Sequence, residues 1–299
     1  MTDPASDGLV IVAKPGGLTS HDVVARIRRL AGTRRVGHAG TLDPMATGVL
    51  VTGVGKATRL LGYLALTEKE YSGTIRLGQT TDTDDAAGTP GPPVPALTIE
   101  HADLLRAVAT LTGEISQVPP GISAIKVGGE RAYRLARAGQ APALAARNVT
   151  VSRFDVTGTR PAGQLLDVDV AVTCSSGTYI RALARDLGAA LGVGGHLTAL
   201  RRSRVGPYDL SQALTLDQLA ARLERTGVLP VTPLAEAAAA AFARRDLTAD
   251  EARDLGYGRR LAPTGTGEEP VAAFGPDGSL VALLTDADGR ARSLAVFAG

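Results

Sequence analysis

Nine residues restrict the fold of this chain more than any other stretch. From Leu166 to Cys174, Val168, Val170, Val172 and Cys174 alternate with Asp167, Asp169, Ala171 and Thr173. Successive side chains of a strand point to opposite faces, so this period of two predicts a strand with one buried and one wet face. Tyr71 to Leu77 repeats the pattern, with Tyr71, Gly73, Ile75 and Leu77 on one side and Ser72, Thr74 and Arg76 on the other. A helix follows the first stretch. Ile180, Leu183, Ala184, Leu187 and Leu191 fall on one face, with Ser175-Ser176-Gly177-Thr178 supplying the turn and cap.

The rest of the chain reads in the same terms. Leu9 to Ala13 is a short apolar run that suits a buried strand, after which Ser20 caps a helix carrying Val23, Val24, Ile27 and Leu30 until Gly32 ends it. A glycine-rich loop covers Thr33 to Gly48, and a helix near Ala57 to Leu66 buries Leu60, Leu61 and Leu64. Residues 86–97 hold four prolines and two glycines, which makes them a connecting loop. The next helix turns Leu104, Leu105, Val108 and Leu111 inward, with Gly113 as its stop. Residues 118–148 carry Lys126, Arg131, Arg134, Arg137 and Arg147 with little amphipathic period, as expected of a mobile basic insertion. Thr215 with Gln218 and Thr248 with Glu251 form capping boxes. Beyond the alanine run at 235–241, short apolar segments at Val271–Phe274, Leu280–Leu284 and Leu294–Phe297 are separated by Gly/Asp/Pro turns, predicting a small β-rich domain. The expected domains are 1–239 and 240–299.

Composition narrows the class. A chain of 299 residues, 44% hydrophobic and 21% charged, can bury one large core and a small second domain. No apolar run approaches the roughly 18–20 residues a membrane helix needs, and the acidic start MTDPASDG is unlike a signal peptide, so no membrane association and a cytoplasmic location are expected. One cysteine, Cys174, excludes an internal disulfide, and His21, His38, His101 and His196 lack metal-ligand spacing, so no metal site is expected. Net charge is only +2, yet residues 122–205 hold 12 Lys and Arg against 5 Asp and Glu. Such a stripe fits a polyanion, and equally a solvated basic face. Gly53-Val54-Gly55-Lys56-Ala57-Thr58 hints at a phosphate loop but has Leu50 and Ala57 where that loop needs Gly and Ser or Thr.

The segment that speaks to chemistry is GHAGTLDPMATG, residues 37–48, in which one carboxylate, Asp43, sits among three glycines and a proline. Glycines let backbone approach a ligand closely, whereas Asp43-Pro44 alone reads as an Asx turn. The whole segment resembles the GHxGxLDPxATG signature of the TruB family of pseudouridine synthases. Lys14-Pro15-Gly16-Gly17-Leu18-Thr19-Ser20 is similar to that family's KPxGxxS segment, RLGQTTDTDDAAG (76–88) to the stretch after its active-site Tyr strand, SSGTYIRALARDLG (175–188) to its GTYIR motif, and LRRSRVGPY (200–208) to its late basic motif. The insertion departs from the family pattern at Gly121-Ile122, where a bulky residue followed by Tyr is usual.

The resemblance implies an α+β fold: a pseudouridine synthase catalytic domain around a mixed, largely antiparallel sheet, and a small β-rich PUA-like domain. It implies conversion of uridine 55 in the T loop of tRNA to pseudouridine, by flipping the nucleotide, breaking the glycosidic bond and rejoining the base through C5. Asp43 would be the catalytic carboxylate, acting on ribose C1′ or on a ribose proton, with Arg181 as its cation and Tyr71 as stacking ring or proton relay. His38, Tyr179, Leu200, Lys126, Arg131 and Arg134 would bind substrate. No cofactor, metal or obligatory protein partner is implied, and the chain would act as a monomer. Two other functions fit the same features: a non-catalytic chaperone of tRNA folding, and a guide-RNA-dependent synthase.

Overall fold

The apolar run near the start becomes β1 (Gly8–Lys14), and it has no wet side because both of its faces are packed. The computed structural model describes residues 7–121, 126–127, 130–131 and 144–297. After β1 come α1 (Ser20–Ala31), β2 (Val36–His38), β3 (Thr47–Val54), a 3₁₀ turn (Gly55–Arg59), α2 (Leu61–Leu64), β4 (Lys69–Leu77), α3 (His101–Thr110) and β5 (Gly113–Gln117). The short pair β6 (Lys126–Val127) and β7 (Glu130–Arg131) precedes β8 (Arg147–Ala162), β9 (Leu165–Cys174), α4 (Ile180–Ala190), β10 (Gly195–Val205) and β11 (Tyr208–Asp209). The chain closes with α5 (Leu216–Thr226), β12 (Thr232–Pro233), α6 (Leu234–Ala241), β13 (Ala243–Asp246), α7 (Ala249–Gly256), β14 (Val271–Phe274), β15 (Leu280–Ala287) and β16 (Arg290–Val296).

Two compact units result. The first runs to Pro44, resumes over Gly48–Thr67 and takes the chain from Val205 onward; the second is Met45–Thr47 with Glu68–Arg204. In the first unit, β1 lies between β12 and β3, and β2 pairs with β3, all antiparallel. Leu9 and Ile11 of β1 join Val49 and Val51 of β3 in one core, while Val10 and Val12 join Leu50 and Val54 in another, against Val23, Val24 and Ile27 of α1 and Leu216 and Leu219 of α5. The first core also takes Ala272, Phe274, Leu280, Leu283 and Phe297 from a four-stranded sheet ordered β13-β14-β15-β16. Polar groups bridge the same surfaces: Lys56 Nζ donates to the Phe297 carbonyl at 3.2 Å, Tyr63 OH to that of Leu294 at 3.3 Å, and Arg59 to that of Val296. The other face of the small sheet packs Ala273, Ala282 and Leu284 on Leu247 and on Leu255 of α7.

In the second unit the strands run β10-β4-β9-β8-β5. The two alternating stretches of sequence are direct antiparallel partners. On the core side Tyr71 faces Val172, Gly73 faces Val170 and Ile75 faces Val168. On the polar side the facing pairs are bonded: Thr74 Oγ1 donates to Asp169 at 2.6 Å, and Arg76 clasps Asp167 with Nε and Nη2 at 2.7 and 2.9 Å. Cross-strand pairs of this kind are the unit of sheet stability.

Several sequence expectations change. Thr19, not Ser20, caps α1, through a capping box with Asp22, because Ser20 is already inside the helix. The helix near Ala57–Leu66 is a 3₁₀ turn followed by a single α turn. Leu105 is 44% exposed, the buried face of α3 being Leu104, Ala107 and Val108. Tyr179 stands at the cap of α4 and makes no side-chain capping bond, and Thr178 bonds the Ser175 carbonyl. The capping boxes at Thr215 and Thr248 form as read. No helix among the described residues is long and apolar enough to cross a membrane.

Candidate active site

The candidate residues fall in both units. Asp43 and His38 belong to the first; Tyr71, Tyr179, Arg181 and Leu200 belong to the second.

In the first unit, His38 ends β2 opposite Thr52 and meets His21 edge to face, with ring centroids 5.6 Å apart. Gly40, at φ +88°, turns the chain into the Asp43 segment in a conformation that favours glycine. The segment has no regular structure, yet the peptide groups flanking Asp43 are held on both sides. On the N-terminal side, Ser20 Oγ accepts from the Leu42 N–H at 2.9 Å and donates to the Leu42 carbonyl at 3.1 Å. On the C-terminal side, the Pro44 carbonyl accepts from the Gly17 N–H at 2.8 Å and from Lys14 Nζ at 3.2 Å. Lys14 is buried, and its ammonium also donates to the carbonyls of Pro15 and Leu18. The KPGGLTS segment therefore grips the backbone around Asp43, whose own side chain is half-buried.

In the second unit, Tyr71 lies on the core side of β4 and is 9% exposed. Arg181 is the second residue of α4 and 5% exposed. A cation in the first turn opposes the helix dipole, so its burial there needs compensation. Part of it comes from the TTDTDDA segment: Nη1 donates to the Thr83 carbonyl at 2.9 Å and lies 3.5 Å from Asp85 Oδ2. Asp85 is fixed in turn by Thr83 Oγ1 at 2.6 Å and the Ala87 N–H at 3.0 Å. One turn on, Arg185 pairs with Asp84 at 3.1 Å and donates to the Val118 carbonyl at 2.7 Å. Burial raises the Asp84 carboxyl above its ordinary range, against the pull of Arg185 and Arg181.

Tyr179 stands immediately before α4, and Gln117 grips its backbone. The Tyr179 N–H donates to Gln117 Oε1 at 2.8 Å, and Gln117 Nε2 donates back to the Tyr179 carbonyl at 3.2 Å. Leu200, on β10, packs close to β4 because position 73 is glycine: a Cβ there would meet the Ala199 carbonyl at 2.9 Å and Leu200 Cδ1 at 3.5 Å. Leu200 also lines a cavity of about 400 Å³ with Met45, Thr47, Ser72, Thr74, Asp169 and Thr198. Two residues before Tyr71, Lys69 is buried, and burial together with the Arg202 charge lowers its ammonium to about 8.

Of the basic insertion, Lys126 and Arg131 are cross-strand partners in β6 and β7. Arg134 and Arg137 lie outside the described residues. Ser20, Gln117, Thr83 and Asp85 are the residues at these positions that sequence reasoning missed, and no periodicity could have found them, since each acts on a partner brought close only by the fold.

With this geometry in place, comparison with known proteins is direct. A family model of the TruB family pseudouridylate synthase N-terminal domain matches residues 28–180; one of the tRNA pseudouridylate synthase B C-terminal domain matches 181–231; and one of the tRNA pseudouridine synthase II C-terminal region matches 242–298. The chain belongs to the TruB family of pseudouridylate synthases. A protein of Thermobifida fusca named tRNA pseudouridine synthase B is 62% identical over 98% of this chain and 99% of its own. One of the same name from Arthrobacter sp. is 60% identical over 97% and 96%. Among solved structures, a chain of a Cbf5-Nop10-Gar1 complex is 26% identical with a TM-score of 0.73, covering 97% of this chain and 84% of that one.

Proposed function

We infer that this protein is a tRNA pseudouridine synthase that isomerises uridine 55 of the T loop. The observation that carries the reading is identity of 62% along essentially the whole chain to a synthase of that name. The locally fixed Asp43 segment supports it. The reaction has no redox change and no external nucleophile, so it needs a carboxylate held in place more than it needs a cofactor. Asp43 is the catalytic group, either attacking C1′ or taking a ribose proton, and both routes require it ionised. Arg181 supplies a buried, oriented cation for the catalytic set. Tyr71 stacks on the flipped base and serves as relay for the C5 proton.

His38, Tyr179 and Leu200 bind the substrate, and Lys126, Arg131 and Arg134 of the insertion grip the T-arm phosphates. Residues 1–239 form the catalytic domain and 240–299 a PUA-like RNA-binding domain. The enzyme acts in the cytoplasm as a monomer on tRNA, without cofactor, metal or protein partner. Neither the folding-chaperone reading nor the guide-RNA-dependent one is favoured by a specific observation.

The test is release of tritium from C5-labelled uridine in a bare tRNA transcript by the purified chain alone. Stoichiometric release at one position is expected. A protein that binds the transcript yet releases none would overturn the reading.

A further inference from the structure

Ser20 opens α1 yet takes no part in capping it. It is the first residue of α1, only 1% exposed, and the cap of that helix is made by Thr19 and Asp22 without it. As the first residue of α1 it has no preceding helical carbonyl to bond. It reaches 22 residues along the chain to Leu42, accepting from its N–H at 2.9 Å and donating to its carbonyl at 3.1 Å. A hydroxyl is the smallest side-chain group that can both donate and accept, and here it does both toward one residue. Leu42 is itself buried. Its peptide groups are thereby fixed in direction, and the next residue in the chain is Asp43.

We propose that Ser20 is a positioning residue for the catalytic carboxylate: its hydroxyl sets the backbone entering Asp43, and with it the direction of the Asp43 side chain. The proposal rests on the reading of Asp43 as the catalytic group. The Gly17 N–H and Lys14 ammonium hold the carbonyl of Pro44 on the far side, so removing Ser20 releases one end of the segment and leaves the other tied. The three anchor residues belong to one short stretch, 14–20, and through Ser20 α1 lends its rigidity to a loop with no regular structure of its own. Reacting groups lose on the order of 100-fold in rate when displaced by about 1 Å. Ser20 is buried, so its replacement changes little of the exposed surface.

The experiment uses the full chain with Ser20→Ala and Ser20→Thr, the latter retaining the hydroxyl. Single-turnover tritium release at saturating protein, transcript Kd and thermal midpoint are measured for each. Expected for Ser20→Ala is a fall of roughly 10- to 100-fold in the single-turnover rate, with Kd within about twofold of the parent; Ser20→Thr should recover most of the rate. A Ser20→Ala rate equal to the parent's overturns the proposal. So does a loss explained by the unfolded fraction, or a Ser20→Thr variant as slow as Ser20→Ala. If the parent protein releases no tritium at all, the catalytic reading of Asp43 fails first, and that result is distinct from a parent that is active beside an unaffected Ser20→Ala.

Discussion

The Asp43 segment and the start of α4 are both held in place, and the contacts described at each fall on different groups. Around Asp43 the backbone is gripped by Ser20, Gly17 and Lys14, and the residue is half-buried. At Arg181 the side chain itself is gripped, by the Thr83 carbonyl and Asp85, and is almost wholly buried. A backbone grip fixes the point from which a side chain leaves the chain. A side-chain grip fixes where its charge ends up. The comparison teaches that holding a residue and holding its backbone are separate structural tasks, here assigned to different side chains.

The sharpest way to break this contrast is at the carboxylate. Asp43→Asn is expected to abolish tritium release while transcript affinity stays within a few-fold, since the amide keeps the shape and cannot act as nucleophile or base. Turnover above background would remove Asp43 from its role. Next in size, Arg181→Lys should lower the single-turnover rate by about 100-fold with little change in Kd, because a point charge cannot reproduce a planar fork. An unchanged rate would make Arg181 structural only.

The backbone grip on Tyr179 predicts a smaller, thermodynamic effect. Gln117→Ala strips two hydrogen bonds from buried surroundings and should cost about 1–3 kcal/mol in chemical denaturation. A loss below about 0.5 kcal/mol would show that water or another group substitutes easily. Least in size is the effect at Lys69, whose ammonium is lowered to about 8 in the folded chain from 10.5. Below pH 8 both folded and unfolded states carry the proton and the folded state bears its desolvation. From pH 8 to 10.5 the folded state loses the proton first, and that cost fades with rising pH. Lys69→Met should therefore be more stable than the parent at pH 7, by about 1–2 kcal/mol, with the advantage shrinking by pH 10. A gap independent of pH would show that burial of charge is not its source.

How legible all this was depends on the range of the forces involved. The β4 and β9 alternations were plain because each strand has one wet face, and the capping boxes at Thr215 and Thr248 were plain because both partners lie within a turn. By contrast β8 shifts register between Val151 and Arg153 and again between Val156 and Gly158, which moves Phe154 out of phase with Val149 and Val151 and erases the period. The basic run in β10 hides a strand, since Arg202 is fully buried where a hydrophobic residue would be expected. The Asp43 motif stood out as a pattern of residue types, and the resemblance supplied roles for it. What holds the motif was illegible: the Ser20–Leu42 and Gln117–Tyr179 bonds span 22 and 62 residues, and neither leaves a local mark.

The small C-terminal sheet shares a core with the first strand of the chain, and this has a consequence for how the protein is made. Leu9 and Ile11 emerge early in synthesis, but among their partners Phe274, Leu283 and Phe297 come much later. Lys56 and the carbonyl it binds are 241 residues apart, which at about 5–20 residues per second is a delay of roughly 12–50 s on the ribosome. Throughout that interval the core on one face of β1 and β3 has Leu60, Leu61 and Leu64 but lacks the C-terminal sheet, so the nascent chain carries exposed apolar surface of the kind that recruits chaperones. Translation products that stop before residues 272–297 should accordingly be sticky and short-lived.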